Sequence, residues 1–113
     1  MICIKLLFIC SRNKWRSLTA EKIFDKVNGY DVRSAGTKAN ARIKVTEGHI
    51  GWADLIFVME KKHSRRIKDK FNDVIYNKKI ICLDIADDYE FMDEKLIELL
   101  KSRVSEHINI EIY

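Results

Sequence analysis

The chain has 113 residues, a formal net charge of +4, and a composition that is 47% hydrophobic and 34% charged. This length and composition predict one globular domain, residues 1–113, with a core that needs no disulfide or metal. The longest apolar run, Leu6–Cys10, is too short to cross a bilayer, and the first ten residues lack the pattern of a secretory signal, so we expect a cytoplasmic protein with no membrane partner.

The first third of the chain predicts a strand, a helix and a second strand. Residues Ile2–Ile9 are nearly all apolar, as in a strand that is buried on both faces. Apolar residues then recur at helical spacing from near Ser17, and Gly29 is well placed to end that helix. Tyr30–Ser34 predicts a second short strand, with a turn at residues 35–37.

The rest of the chain predicts two more strands and three helices. Two of the helices have polar residues suited to cap their N-termini, Thr46 and Asp93. The last six residues, 108–113, alternate like a strand but are too few to assign. The predicted elements are a helix Thr46–Trp52, a strand Ala53–Met59, a helix Glu60–Phe71, a strand Lys79–Ile85 and a final helix from Asp93 through Val104.

This alternation of strands and helices predicts an α/β fold with a parallel four-stranded sheet and helices on both faces. In a parallel sheet, the loops after Ile9, Ser34 and Ile85 leave from the same edge. Ligands of such folds bind outside the carboxyl ends of the strands. We therefore expect the binding site among these loops.

The loop after the first strand has the features of a phosphate-binding loop. Residues Cys10–Ser17 read C-S-R-N-K-W-R-S and join the first predicted strand to the first predicted helix. Unpaired N–H groups at a helix N-terminus, with the positive end of the helix dipole, bind phosphate well. The five residues after Cys10 allow the chain to curl round one tetrahedral anion, and the planar guanidinium of Arg16 can bind two of its oxygens.

Cys10 is also placed to act as a nucleophile. A helix N-terminus, a guanidinium and the Ser17 hydroxyl all stabilise a thiolate, which is the reactive form of cysteine. A thiolate below a bound phosphoryl group can attack it in line and form a phosphocysteine intermediate. Cysteine is also a common small core residue, and Cys3 and Cys82, which lie within apolar strands, fit that role.

The spacing of cysteine and histidine does not indicate a metal site. The three cysteines form no C-x-x-C pair, and the three histidines are scattered along the chain. We therefore expect neither a metal nor a cofactor. The positive net charge favours an anionic partner, although many basic proteins bind nothing acidic.

These motifs resemble the low-molecular-weight protein tyrosine phosphatases, whose signature is C-x-x-N-x-C-R-S near the N-terminus. The resemblance covers most of the chain and implies an α/β phosphatase that acts on a phosphorylated protein or a small aryl phosphate. The matching residues are Cys10, Asn13, Arg16 and Ser17, then TAEKIF (19–24), RSAGT (33–37) and WADLIFVMEKKHSRRI (52–67).

The resemblance also implies roles for individual residues. Cys10 is the expected nucleophile, and Arg16 is the expected clamp on the phosphate and the transition state. Polar support for the loop and the thiolate is expected from Asn13, Ser17 and Ser34, whereas His63 is expected to be structural. The remaining expected phosphate-loop residues are Ser11, Arg12, Lys14 and Trp15.

The family also supplies a general acid for the leaving group, from an Asp-Pro-Tyr or similar motif. Here Asp87-Asp88-Tyr89 fits that motif best, with Asp87 as the acid and Asp88 as its main rival. Trp15 and Tyr89 would form aromatic walls for a phenyl ring, although Trp15 fits inward packing equally well. The alternative for this region is a solvated acidic loop.

The chain departs from the family pattern in three respects. It is short between Thr37 and Val45, Arg12 stands where a glycine is common, and Trp15 replaces the second cysteine. The sequence specifies neither the physiological substrate nor the oligomeric state.

Two other functions remain open. Arsenate reduction on the same fold needs further cysteines near the acidic loop, where only Cys82 is present. A non-catalytic module that binds phosphate, a phosphoprotein or RNA would use Arg12, Lys14 and the basic segment Lys61–Lys70, with nucleic acid as the less favoured partner.

Overall fold

A computed structural model describes residues 3–25, 27 and 29–108. Within these residues, four strands alternate with helices along the chain, as the sequence predicts. The strands are β1 (Ile4–Cys10), β2 (Tyr30–Gly36), β3 (Leu55–Val58) and β4 (Lys79–Cys82). The helices are α1 (Arg16–Phe24), α2 (Glu47–Trp52), α3 (Lys61–Lys70), α4 (Asn72–Ile75) and α5 (Glu94–Ser105).

The four strands form one parallel sheet in the order β2-β1-β3-β4. β1 lies inside the sheet, with Phe8 opposite Ser34 on one side and Phe57 on the other. The parallel arrangement confirms the predicted sheet and brings the carboxyl ends of all four strands to one edge. Cys10 ends β1 at this edge, beside Gly36.

Helices cover both faces of the sheet, which also confirms the predicted architecture. Leu6, Phe8 and Cys10 face α1 and α5 in one buried cluster. Leu7 and Ile9 face α2, α3 and α4 in a second cluster on the other side. Because side chains alternate along a strand, Cys10 and Cys82, which packs against the second cluster, lie on opposite faces.

Both predicted helix caps are present. The Thr46 hydroxyl accepts a hydrogen bond from the His49 N–H at 3.3 Å, and the Asp93 carboxylate accepts one from the Lys95 N–H at 2.8 Å. Each bond satisfies a backbone donor that the first turn of a helix leaves free. These local signals therefore set where α2 and α5 begin.

The strand ends differ from the sequence prediction. β2 continues through Gly36, and β4 ends at Cys82, although the Leu83 and Ile85 N–H groups still bond to β3 and to Met59 beyond it. The left-handed backbone of Asp84, with φ of 55°, interrupts the strand there. The short helix α4 follows α3 and was not predicted.

Three further expectations concern the C-terminal residues, membrane-spanning helices and metal sites. Apart from Ile108, the strand suggested for residues 108–113 lies outside the described residues. In the part of the chain that the structure describes, no helix combines the length and apolar character needed to span a membrane. The same residues contain no group of three or more His, Cys, Asp or Glu that could hold a metal ion.

Candidate active site

The loop between β1 and α1, residues Cys10–Ser17, is here called the Cys10 loop. The chain turns at Asn13, whose φ of 59° lies in the left-handed region that asparagine tolerates better than most residues. Helix α1 then begins at Arg16, and the side chain of its N-cap, Trp15, makes no capping hydrogen bond. The first turn of α1 therefore keeps N–H groups available to a ligand.

The sulfur of Cys10 lies at the bottom of the loop among hydrogen-bond donors. Its Sγ is 2.9 Å from the Ser17 Oγ and 3.2 Å from the Asn13 backbone N, which donates to it. The Asn13 side-chain amide donates to the same Ser17 Oγ at 2.7 Å, so the hydroxyl keeps its own hydrogen for the sulfur. Both donors therefore point at the sulfur, where they can stabilise negative charge.

Arg16 is buried, with 2% of its surface exposed, although it carries a full charge. Its Nη1 donates to the Glu60 carboxylate at 2.7 Å and to the Ile85 carbonyl at 2.8 Å. Its Nε lies 3.5 Å from the Asp87 Oδ1 and makes no hydrogen bond to any residue that the structure describes. A buried donor without a partner is costly, and a bound oxyanion would satisfy it.

Glu60 was not recognised from the sequence, and it holds Arg16 in place. Burial alone would raise the pKa of Glu60, but the hydrogen bond and charge of Arg16 outweigh burial and hold that pKa below its usual value. The carboxylate therefore stays ionised and pairs with the guanidinium. The available signal was the position of Glu60 directly after the buried run of β3, at the carboxyl edge of the sheet.

Residues 37–42 support the Cys10 loop from outside. The N–H groups of Thr37, Lys38 and Arg42 donate to the carbonyls of three successive loop residues, Cys10, Ser11 and Arg12, at 2.9 to 3.0 Å. In a trans peptide the carbonyl and the next N–H point in opposite directions. The N–H groups of the loop therefore point toward its concave side, where a phosphate would bind.

The close approach of residues 36–42 to the loop depends on Gly36. A Cβ at this position would lie 2.6 Å from the Ser11 carbonyl oxygen and 2.6 Å from the Ala41 Cβ. Both distances are shorter than real contacts allow, and one neighbour is backbone. The glycine of the RSAGT stretch is therefore required where β2 meets the Cys10 loop.

His63 links this edge of the sheet to the loop. It is fully buried, its Nδ1 accepts a hydrogen bond from the Glu60 N–H at 3.0 Å, and its Nε2 lies 2.9 Å from the Ser11 Oγ. Because Nδ1 is an acceptor, Nε2 carries the proton and donates to Ser11. Burial, assisted by the charge of Arg16, lowers the pKa of His63 to about 4, so the ring is neutral at pH 7.

The lowered pKa of His63 predicts a loss of stability in mild acid. An unfolded histidine takes up its proton near pH 6.5, whereas folded His63 does so near pH 4, so protons favour the unfolded chain between these values. The free energy of unfolding is expected to fall in this range by up to about 1.4 kcal/mol per pH unit from this residue. Urea unfolding at a series of pH values measures it.

His63→Asn is expected to be less stable than wild type at pH 7, because it loses buried hydrogen bonds, and to show a shallower decline between pH 6.5 and 4. His107→Asn, which alters an exposed histidine, should keep the wild-type slope. Parallel curves for wild type and His63→Asn would show that His63 does not titrate in this range.

The Cys10 loop and Asp87 line a pocket that opens to solvent. Asp87 projects from the segment after β4, and its carboxylate is 55% exposed. Trp15 is 42% exposed, so it lies against the pocket instead of packing inward. The residues that line the pocket are Cys10, Ser11, Arg12, Lys14, Trp15, Arg16 and Asp87.

The structure does not bring every expected site residue to this pocket. Tyr89 packs against the buried cluster on the α1 and α5 side, and neither it nor Asp88 is among the lining residues. Ser34 is buried on β2, and its hydroxyl donates to the Glu21 carboxylate on α1 at 2.7 Å instead of to the loop. The support from Asn13 and Ser17, in contrast, is direct.

Comparison with solved structures places the fold in a known class. No family model matches the sequence, and no curated protein matches it significantly. The arginine phosphatase YwlE from Geobacillus stearothermophilus is similar, with a TM-score of 0.71 and 22% identity over 91% of this chain and 91% of that chain.

Two tyrosine phosphatases are similar to the same degree. One is Wzb from Escherichia coli K30 in complex with phosphate, with a TM-score of 0.74 and 20% identity over 93% of this chain and 96% of that chain. The other is the low-molecular-weight protein tyrosine phosphatase from T. tengcongensis, with a TM-score of 0.70 and 19% identity over 93% and 99%. The chain therefore has the low-molecular-weight protein tyrosine phosphatase fold, as the sequence resemblance implied.

Proposed function

We propose that this protein, as a single domain of residues 1–113, is a phosphatase that hydrolyses phosphotyrosine or related aryl phosphate monoesters. The observation that carries the proposal is that two groups, a sulfur and a guanidinium, line one pocket. The Cys10 sulfur has two donors within 3.2 Å, and the buried Arg16 Nε above the same loop has no hydrogen-bond partner among the described residues. A phosphoryl group between them would satisfy both.

The reaction proceeds in two displacements. The Cys10 thiolate attacks phosphorus, the bond from phosphorus to the aryl oxygen breaks, and Asp87 gives its proton to that oxygen. Asp87, now a carboxylate, takes a proton from a water molecule as this water attacks the phosphocysteine. The bond from sulfur to phosphorus breaks, and inorganic phosphate and the thiolate are released.

Arg16 and the backbone of the Cys10 loop stabilise the transition state. In phosphoryl transfer the charge is spread over three equatorial oxygens, and catalysis consists largely of positioning and electrostatic stabilisation. The inward N–H groups of the loop and the Arg16 Nε are fixed before the substrate arrives, because Glu60, the Ile85 carbonyl and residues 37–42 hold them. No cofactor takes part, and the partner is a phosphorylated protein or a small aryl phosphate.

The two other functions have less support. A thiol relay for arsenate reduction requires a second cysteine that can reach Cys10, and Cys82 lies on the opposite face of the sheet. A purely binding module has no use for a proton donor, yet the carboxylate of Asp87 lies over the pocket, 3.5 Å from Arg16. The basic residues of α3 surround buried His63 and Ile67 as a solvated helix face would.

The role of Asp87 is tested by comparing two leaving groups. In Asp87→Asn, kcat for a phosphotyrosine peptide is expected to fall by about 10²- to 10⁴-fold, because the phenolate leaves without a proton. The loss for p-nitrophenyl phosphate is expected to be smaller, because nitrophenolate is a better leaving group. Steady-state kinetics across pH measures both losses.

Asp88→Asn is the matched control, since it makes the same change one residue away, outside the pocket lining. A larger loss in Asp88→Asn than in Asp87→Asn would assign the acid to Asp88. Pure, reduced wild type that binds phosphate or vanadate without any turnover would replace the phosphatase proposal with a binding role.

A further inference from the structure

Three exposed cations lie at the pocket or beside its loop, and the proposed reaction does not use them. Arg12 and Lys14 are exposed and line the pocket on either side of the turn at Asn13. Arg42 is also exposed, and its Nε donates to the Asn13 carbonyl at 3.2 Å, which holds its guanidinium against the outer side of the loop. Arg12, Lys14 and Arg42 are here called the cationic rim.

The charges of the cationic rim have no ion-pair partner among the residues that the structure describes. Among residues 3–25, 27 and 29–108, the ion pairs join Arg16 to Glu60 and to Asp87, and Lys62 to Glu60. None of them involves a rim residue. Among the described residues that line the pocket, Asp87 is the only acid, and it already lies beside Arg16. The cationic rim therefore presents unpaired positive charge to a ligand that binds at the pocket.

The proposed reaction leaves the rim charges without a role at the phosphoryl group. That group, bound above Cys10, is held by the loop N–H groups and by Arg16, whereas Arg42 does not line the pocket at all. The rim charges are thus available to a second anion beside the phosphoryl group. In a phosphopeptide, the side chains next to the phosphotyrosine occupy such a position.

We propose that the cationic rim selects phosphotyrosine segments with acidic residues next to the phosphorylated side chain, and that it disfavours phosphoarginine. This inference rests on the proposed function, because it uses the same pocket. A phosphoarginine substrate keeps a positive guanidinium next to its phosphoryl group, which would lie among Arg12, Lys14 and Arg16. An acidic peptide places carboxylates there instead.

The expected size of the preference follows from the exposure of these groups. One exposed ion pair changes an affinity by up to about fivefold, and charges of opposite sign also speed association at low salt. Two such pairs give a preference of about tenfold for an acidic over a neutral peptide. The preference should shrink as salt is raised from about 0.05 M to 0.5 M, because screening acts strongly on exposed charges.

The experiment uses three phosphotyrosine peptides of equal length, with acidic, neutral or basic flanking residues, and a phosphoarginine peptide. Their kcat/KM values are measured with wild type and with the double variant Arg12→Gln/Lys14→Gln. Wild type is expected to prefer the acidic over the neutral peptide by about tenfold and to hydrolyse the basic and phosphoarginine peptides more slowly still. The double variant should reduce the preference to within about twofold.

A second double variant, Lys22→Gln/Lys79→Gln, is the matched control. It removes the same net charge at two exposed positions, and Lys79 begins β4 at the edge of the sheet opposite the pocket. It should keep the wild-type preference. If both double variants lost the preference for the acidic peptide equally, the preference would come from the net charge of the protein. That result would contradict the proposed role of the cationic rim.

Binding of the same peptides to Cys10→Ser separates the two proposals. Equal Kd values for the acidic and neutral peptides, or tighter binding of the phosphoarginine peptide, would contradict the proposed selectivity of the cationic rim. This conclusion would hold whether or not wild type hydrolyses the peptides. A different outcome is that wild type fails to hydrolyse even p-nitrophenyl phosphate while Cys10→Ser still binds the acidic peptide most tightly. That result would contradict the proposed phosphatase reaction and support the proposed selectivity of the cationic rim.

Discussion

Replacing Cys10 by serine is expected to abolish hydrolysis of p-nitrophenyl phosphate while leaving the pocket able to bind phosphate. The loss in kcat should be on the order of 10⁴-fold or more, as for other covalent nucleophiles. A serine hydroxyl stays protonated at pH 7, and the donors around position 10, from Asn13 and Ser17, stabilise an anion but remove no proton. The loop N–H groups and Arg16 are unchanged, so vanadate or phosphate binding should persist.

The matched control for this prediction is Cys82→Ser. It makes the same chemical change at a half-buried cysteine on the other face of the sheet, and it should retain nearly all activity. Stopped assays and phosphate binding by calorimetry measure the two properties separately. Substantial turnover in Cys10→Ser, or an equal loss in Cys82→Ser, would contradict the assignment of Cys10 as the nucleophile.

Replacing Arg16 by lysine is expected to remove both phosphate binding and turnover, although the charge is kept. The guanidinium serves two purposes, since Nη1 bonds to Glu60 and the Ile85 carbonyl while Nε remains for the ligand. A single ammonium on a shorter head group cannot do both, and it should pair with Glu60. We expect kcat/KM to fall by about 10³-fold, as when a donor to a developing oxyanion is lost.

Arg33→Lys provides the matched control for this change. Arg33 is exposed on β2, and its guanidinium lies 4.3 Å from the Trp52 ring centre, away from the Cys10 loop. Its replacement should affect activity little. Vanadate inhibition and the kinetics of p-nitrophenyl phosphate hydrolysis are measured for both variants. If vanadate inhibited Arg16→Lys as strongly as wild type, the planar guanidinium of arginine would not be needed to bind the anion.

The sequence predicted the features of this fold that depend on local patterns. Apolar runs marked the buried strands, and Thr46 and Asp93 marked two helix starts, because each signal involves residues that are close in the chain. The position of Cys10 at the end of β1 followed from the same patterns. The alternation of strands and helices was then enough to predict a parallel sheet with its site at the carboxyl edge.

The supports of the site depend on long-range packing, and the sequence did not reveal them. Glu60 is 44 positions from Arg16, and its role became visible only when β1 and β3 were paired. The bonds from Thr37, Lys38 and Arg42 to the Cys10 loop are backbone bonds, which leave no side-chain signature. The direction of a side chain could not be predicted either. Tyr89, expected as a wall of the pocket, is not among its lining residues, and the Ser34 hydroxyl, expected to support the loop, bonds to Glu21.

The positions of the three cysteines also determine whether an oxidised Cys10 can form a disulfide within the chain. A reactive thiolate is the group that peroxide converts first to a sulfenic acid, and a neighbouring cysteine normally stops the damage there by forming a disulfide. Cys3 immediately precedes β1, seven residues and about 23 Å from Cys10, and Cys82 lies two strands away and faces the other side. A disulfide needs Cα atoms within about 7 Å, so neither can act as a partner. An oxidised Cys10 therefore cannot be trapped as a disulfide with either of the other two cysteines, and a thiol that reduces it would have to come from another molecule.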